Sequence, residues 1–225
     1  MLDFPDLISF AITLKLAIVT TALLLLIGTP IAWWLANTRS QAKPIIEATV
    51  ALPLVLPPTV MGFYLLVLMG PQGSVGSLWV SVTGESLTFS FAGLVIASTV
   101  YSFPFVIQPL QSAFESVSKE FMEAASTLGA TSRDAFFSVA VPMAKRGFLT
   151  ATVMGIAHTM GEFGVVLMVG GNIPGETRVI SIAIYDHVET LNYAQAHVLS
   201  FVLLCFSFFT MLSLYMLNRR MSRYG

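Results

Sequence analysis

The charges of this chain are confined to short segments, and that confinement limits what it can fold into. Of 23 charged residues in 225, only Lys15, Glu47 and Glu162 fall inside five long apolar stretches, at 8–36, 45–69, 88–112, 147–170 and 196–217. A helix needs about 20 apolar residues to cross roughly 30 Å of hydrocarbon, and each stretch is long enough. Their apolar runs are continuous, whereas barrel strands would be segments of about 10 residues with alternating polarity. With 10% charged residues, against about 25% in soluble domains, the chain has too few charges to cover a globule in water. The expected fold is an all-α integral membrane protein of five transmembrane helices, a single transmembrane domain over 1–225.

The basic residues set an expected orientation. Arg39, Lys43, Lys119, Arg133, Lys145, Arg146, Arg219, Arg220 and Arg223 lie on one side of a five-helix zigzag, against Lys15 and Arg178 on the other. An excess of Lys and Arg in short loops marks the cytoplasmic side, so the N-terminus is expected outside and the C-terminus in the cytoplasm. The first span lacks a basic leading region and a small-residue cleavage site and reads as a retained helix. Cys205 is alone, which excludes a disulfide scaffold and a cysteine zinc site. A formal charge of −1 gives no footprint for nucleic acid.

Proline interrupts several spans: Pro30 in the first, Pro53, Pro57 and Pro58 in the second, Pro104 and Pro109 in the third. Each removes a backbone donor and clashes with the preceding turn. Residues 52–58 are expected to be irregular backbone, either in a kinked packing helix or in a bent helix lining a translocation path.

The 113–146 segment, between the third and fourth spans, is too polar to cross a membrane and too patterned for an idle loop. Ser118 is placed to cap a short helix whose first turn holds Glu120. Phe121, Ala124, Ala125 and Leu128 then follow at i, i+3, i+4 and i+7, a one-faced apolar stripe. Gly129 stands where a left-handed residue would end that helix. Thr131 and Asp134 form a capping-box pattern for a second helix, which Pro142 is expected to stop. The stripe suits either a lid on the protein's own helix ends or a surface for a partner.

Glu123-Ala124-Ala125, three residues, Gly129, nine residues, then Val139-x-Val141-Pro142 resembles the EAA motif of ABC importer permeases. The family ending is Ile-x-Leu-Pro, and valine keeps the apolar character at both places. Leu-Pro-Leu-Val-Leu-Pro-Pro-Thr-Val-Met-Gly at 52–62, Gly-Glu-Phe-Gly at 161–164 and Asn-Ile-Pro-Gly-Glu-Thr-Arg at 172–178 are similar to the molybdate-type permeases; sulfate and tungstate permeases share the EAA motif. The resemblance implies the type I importer permease fold in the inner membrane of a bacterium. It implies a homodimer with two separate ATP-binding subunits, which hold ATP–Mg, and an extracytoplasmic oxyanion-binding protein. Phe121, Glu123, Ala124, Ala125, Leu128, Gly129 and Pro142 would then form the coupling element. The chain has no Gly-Lys dipeptide and therefore no P-loop. It is expected to bind no cofactor or metal and to have no catalytic residue.

His158 and Glu162 are four apart in the fourth span, where an ionisable pair is a functional candidate. The alternatives for Glu162 are a carboxylate bonded to backbone or hydroxyls at a helix interface, or a part in a gate. Repulsion of an oxyanion argues against direct ligation. Pro57, Pro58, Thr59, Ser98 and Thr99 are further candidates for the path. No arginine lies in the five spans, consistent with weak sites that release an anion. Lys15 reads as an interfacial anchor. Arg178 would face the binding protein, attract a dianion or pair with Glu176. Gly73-Ser74-Val75-Gly76 with His158 or His197 raises an intramembrane protease, but a turn explains it. A secondary transporter would want an inverted repeat and paired charges, neither of which is seen.

Overall fold

The computed structural model describes residues 3–223. The side chains of 221–223, Arg223 among them, lie outside the described residues. The order is α1 (Phe4–Asn37), α2 (Lys43–Val55), α3 (Pro58–Met69), α4 (Ser74–Thr83), α5 (Phe91–Glu115), α6 (Lys119–Thr127), α7 (Ser132–Ala135), a π-helical turn (Phe136–Ala140), α8 (Val141–Met143), α9 (Lys145–Met160), α10 (Gly164–Gly170), α11 (Ile180–Glu189) and α12 (Tyr193–Arg223). No strand occurs among the described residues.

Helices α1, α5 and α12 are long and apolar enough to cross as single spans, while α2–α3 and α9–α10 are bent pairs with axes turned by 112° and 63°. The α2–α3 pair runs from one end of α5 to the other in spite of its bend. Lys43 meets Glu115 and Gln111 meets Glu47 at one end of α5, while Met69 closes on Gly93 near the other.

The prolines act more locally than the sequence suggests. Pro30 lies inside α1, and Pro104 and Pro109 inside α5, without ending either helix. Each removes a single bond from a long ladder, and packing against neighbouring helices holds the rest. The irregular backbone in the second span is narrower than 52–58: helix persists to Val55 and resumes at Pro58. Only Leu56 and Pro57, both extended, lie outside it. Where Pro57 is followed by Pro58, the pre-proline residue is driven to extended backbone, which explains the break.

Two connections also carry helices. Residues 73–76, expected as a turn, lead at Ser74 into α4, and α11 follows the 172–178 segment.

Pro142 does not stop the second helix of the polar segment. It lies in α8, after a π-helical turn in which the Val141 N–H donates to the Phe136 carbonyl. The wider turn relieves the steric demand of the proline ring, and the Ala144 N–H then rejoins the Ala140 carbonyl.

An aromatic cluster fixes that turn to the bundle. Trp33 of α1 meets Phe114 of α5 edge-on at 5.2 Å and Phe136 at 5.1 Å. Phe114 also meets Phe148 of α9 at 5.8 Å. Such pairs contribute about 0.5–1.5 kcal/mol beyond area burial. The 118–142 segment is thus held at the bundle end where α1, α5 and α9 converge.

Candidate coupling surface and mid-membrane cavity

Helix α6 has no buried residue. Phe121 is 58% exposed and Leu128 is 89% exposed; Glu123 and Ala124 are also exposed, and Ala125 is half-buried. Met122 alone of its apolar residues packs on the core around Phe114. The apolar stripe is therefore not a lid on the protein's own helices.

The turn after α6 is built as its glycine implies. Gly129 has φ +90°, a conformation glycine adopts at little cost. The Ala130 N–H donates to the Ala125 carbonyl and the Gly129 N–H to the Ser126 carbonyl, both at 3.0 Å, the paired bonds of a Schellman ending. At Thr131 both bonds of the capping box form. The Asp134 N–H donates to Thr131 Oγ1, and the Thr131 N–H to Asp134 Oδ2, each at 3.2 Å. The Thr131 hydroxyl also donates to Asp134 and holds its carboxyl below the ordinary aspartate value. Ser118 occupies the N-cap position of α6, but its hydroxyl donates to the Glu120 carboxylate rather than accepting a backbone N–H. That bond lowers the Glu120 carboxyl from its usual range.

The second constellation lies where the two bent spans meet. Residues 161–163, between α9 and α10, are not α-helical, a break the continuous apolar run of the fourth span does not announce. Gly164 lies so close to Pro58 that an added Cβ would stand 2.8 Å from the proline Cβ. Around this approach is a cavity of about 530 Å³ lined by Pro58, Thr59, Tyr101, His158, Glu162 and Phe163, among others.

Glu162, 4% exposed, is held from three elements. Ser98 and Ser102 of α5 donate to its Oε2 and Oε1 at 2.5 and 2.6 Å. Ser181 of α11 donates to its backbone carbonyl. His158 Nδ1 stands 3.5 Å from Oε1 and 2.9 Å from Ser102 Oγ. The predicted His158–Glu162 proximity is present, and the carboxylate is satisfied by hydroxyls at a helix interface. Ser102 and Ser181 are the members that sequence reasoning leaves out; for Ser102 the i, i+4 spacing from Ser98 is the signal that could have found it.

The other candidates are dispersed. Thr59 lines the cavity from α3, and Pro57 is exposed at the break. The Thr99 hydroxyl is committed to the Val95 carbonyl of its own helix at 2.7 Å. Arg178 does not pair with Glu176. Its guanidinium meets Asp186 at 3.3 Å and Asn172 Oδ1 at 2.6 Å, because the 172–178 segment folds against α11. Lys15 lies 4.3 Å from the centroid of the Phe91 ring. Among the described residues no hydrogen bond joins Ser74 to a histidine, and no group of three or more His, Cys, Asp or Glu could hold a metal.

A family model described as "binding-protein-dependent transport system inner membrane component" matches residues 28–223. The chain belongs to that family: it is a multi-pass membrane permease component of ABC importers, with the type I importer fold. Within the family it is 58% identical over 214 residues to the molybdenum transport system permease protein ModB of Azotobacter vinelandii, covering 95% of each chain. It is 35% identical to the Escherichia coli K12 protein of the same name, over 84% of this chain and 83% of that one. With the sulfate transport system permease protein CysT of that organism it shares 30% identity, over 96% of this chain and 77% of the other. In fold it is similar to a chain of a bacterial alginate ABC transporter crystallised with a pentasaccharide-bound periplasmic protein. The TM-score is 0.77 at 15% identity, covering 97% of this chain and 80% of that one.

Proposed function

We propose that this chain forms the translocation path for molybdate in an ATP-driven importer, as one half of a homodimer in the bacterial inner membrane. Two separate ATP-binding subunits hold ATP–Mg and dock on the 118–142 segment, which lies on the cytoplasmic side together with the C-terminus. The N-terminus and Arg178 face outward, toward an oxyanion-binding protein. This chain binds no nucleotide or cofactor of its own.

The observation that carries this reading is the unburied stripe of α6. Phe121 and Leu128 are exposed on a short helix whose base is clamped by the Trp33–Phe114–Phe136 cluster. A rigidly mounted apolar face transmits displacement: a partner that moves α6 also moves the π-helical turn and the end of α5. Oxyanion release follows when that motion opens the path to the opposite side. The identity to molybdenum permeases, higher than to the sulfate permease, supports molybdate.

The test is reconstitution in proteoliposomes with the ATP-binding subunit and the binding protein. ATP-dependent uptake of molybdate is expected, with sulfate in excess competing poorly. Gly129→Asp and Ala125→Trp are expected to abolish uptake and release the ATP-binding subunit in detergent, while still inserting and dimerising. If both variants keep the subunit and transport at the wild-type rate, 118–142 is not the coupling element. Uptake of sulfate in preference to molybdate would reassign the substrate and leave the coupling intact.

A further inference from the structure

We propose that His158 is the oxyanion contact of the cavity at the two helix breaks, and that its Nε2 takes up a proton from the aqueous solution when the anion arrives and returns it to solution when the anion leaves. The inference rests on the transport reading above and assigns a site within it.

The cavity at the two helix breaks has no Lys or Arg in its lining, although a dianion crossing at this depth needs a positive partner. Glu162 cannot serve, and its two oxygens already accept from Ser98 and Ser102. The hydrogen-bond network assigns the histidine tautomer. The single Ser102 proton goes to Glu162 Oε1 at 2.6 Å, so at 2.9 Å Ser102 Oγ accepts from His158 and Nδ1 carries the hydrogen. Nε2 is then the basic nitrogen. It has no hydrogen-bond partner among the described residues, and the side chain, 17% exposed, lines the cavity.

The surroundings of the ring suit a cation. Phe105 stacks on it at 3.7 Å between centroids and Tyr101 lies tilted at 5.0 Å, so electron-rich ring faces flank it. The titratable groups facing it are Glu162, from the α9–α10 break, and Tyr101, from α5; α3 contributes Pro58 and Thr59, and α10 contributes Gly164. With Nε2 protonated, the ring donates one hydrogen bond to an oxyanion oxygen and one to Ser102, and Glu162 balances its charge. A permanent guanidinium would hold the dianion. A histidine that loses its proton lets it go, which is what conduction requires.

The test compares wild type, His158→Gln and His158→Lys in proteoliposomes containing the whole transporter. Molybdate uptake is followed across about pH 5–8, the range in which histidine changes charge. ATPase activity stimulated by the loaded binding protein is measured in parallel, as the readout of folding and coupling. Wild-type uptake is expected to fall as pH rises. His158→Gln, with a neutral donor, is expected to lower uptake about tenfold and flatten the profile relative to wild type, a loss of one charge-assisted bond. His158→Lys, with a fixed charge that holds the anion, is expected to be pH-insensitive and to lower uptake as well. All three are expected to keep stimulated ATPase activity. Overlapping rates and profiles for the three proteins would overturn the assignment, as would a wild-type pH profile retained in both variants. If stimulated ATPase activity is lost in both variants, His158 supports the fold or its coupling rather than contacting anion, which also overturns it. Should wild type carry sulfate instead, the molybdate reading fails alone, and the same comparison made with sulfate still decides His158.

Discussion

Ser102 donates to Glu162 inside a junction that also receives Ser98 and the backbone-directed Ser181 hydroxyl. Ser102→Ala removes one of two hydroxyl donors to a buried carboxylate, which costs about 1–3 kcal/mol. A lower thermal midpoint of the purified permease is expected, and Ser98→Ala with Ser102→Ala should be non-additive because both serve one acceptor. At the polar segment, Asp134 has a carboxyl held below its usual value by Thr131. A depressed folded value means that the cap's contribution is complete above the unfolded value, about 3.9, and is lost as pH falls through the folded one. Protection of the Asp134 and Ala135 amides, relative to intrinsic exchange rates, should therefore fall only in acid, and Thr131→Val should weaken that dependence, since the backbone N–H of residue 131 still reaches the carboxylate. Outward-facing charge makes a different prediction. Arg178→Glu sets a carboxylate beside Asp186, its present partner. If Arg178 helps to recruit the binding protein, uptake should weaken and lose salt sensitivity, since exposed charges are screened within about 8 Å at physiological ionic strength. Equal uptake at all ionic strengths would leave Arg178 as a clip for the 172–186 region.

At the scale of elements, the two bent spans touch at Gly164 and Pro58, where an added Cβ would come within 2.8 Å of the proline. Gly164→Val should force the breaks apart at an overpacking cost of about 1–3 kcal/mol, lowering uptake while assembly persists. Undiminished uptake would show that the contact is not part of the moving path. The two breaks also differ in how far sequence reveals them. Consecutive prolines constrain backbone directly, so the interruption near Pro57 is legible, although its width is set by the helix persisting to Val55. The break at 161–163 leaves the hydropathy of its span continuous and is stabilised by groups distant in sequence, Ser98, Ser102 and Ser181. Local chemistry was readable in the same way around Gly129 and Thr131, because a left-handed residue and a capping box are each specified within four residues. Pro142 misleads because the π-helical turn before it is a tertiary accommodation, set beside Trp33 and Phe114. Arg178 misleads because its partner Asp186 belongs to α11, a helix with no apolar run long enough to stand out as a span.

For the whole molecule, the described ends of the spans agree on one two-sided arrangement. Lys43 pairs with Glu115, Trp33 packs on Phe136, and Asn218 reaches Thr150, which brings the ends of α1, α5 and α12 and the starts of α2 and α9 to one face with α6. The opposite face gathers His187 against Asp6, and the backbone of Ile180 against Thr13. Nine of the 11 basic residues belong to the first face by sequence, and the charge rule assigns that face to the cytoplasm. The assignment is open to direct measurement once Cys205 is replaced by serine. A single cysteine at Gln41 or Ser132 should then react with a membrane-impermeant maleimide only after the cytoplasmic side is opened. One at Gly175, in the segment before α11, should react on intact cells. Glycine and the two polar residues are exposed, so failure to label would report sidedness rather than burial. Reversed labelling would turn the exposed stripe of α6 away from ATP. No rearrangement within a five-span permease would return it, and the proposed coupling would fail together with the orientation.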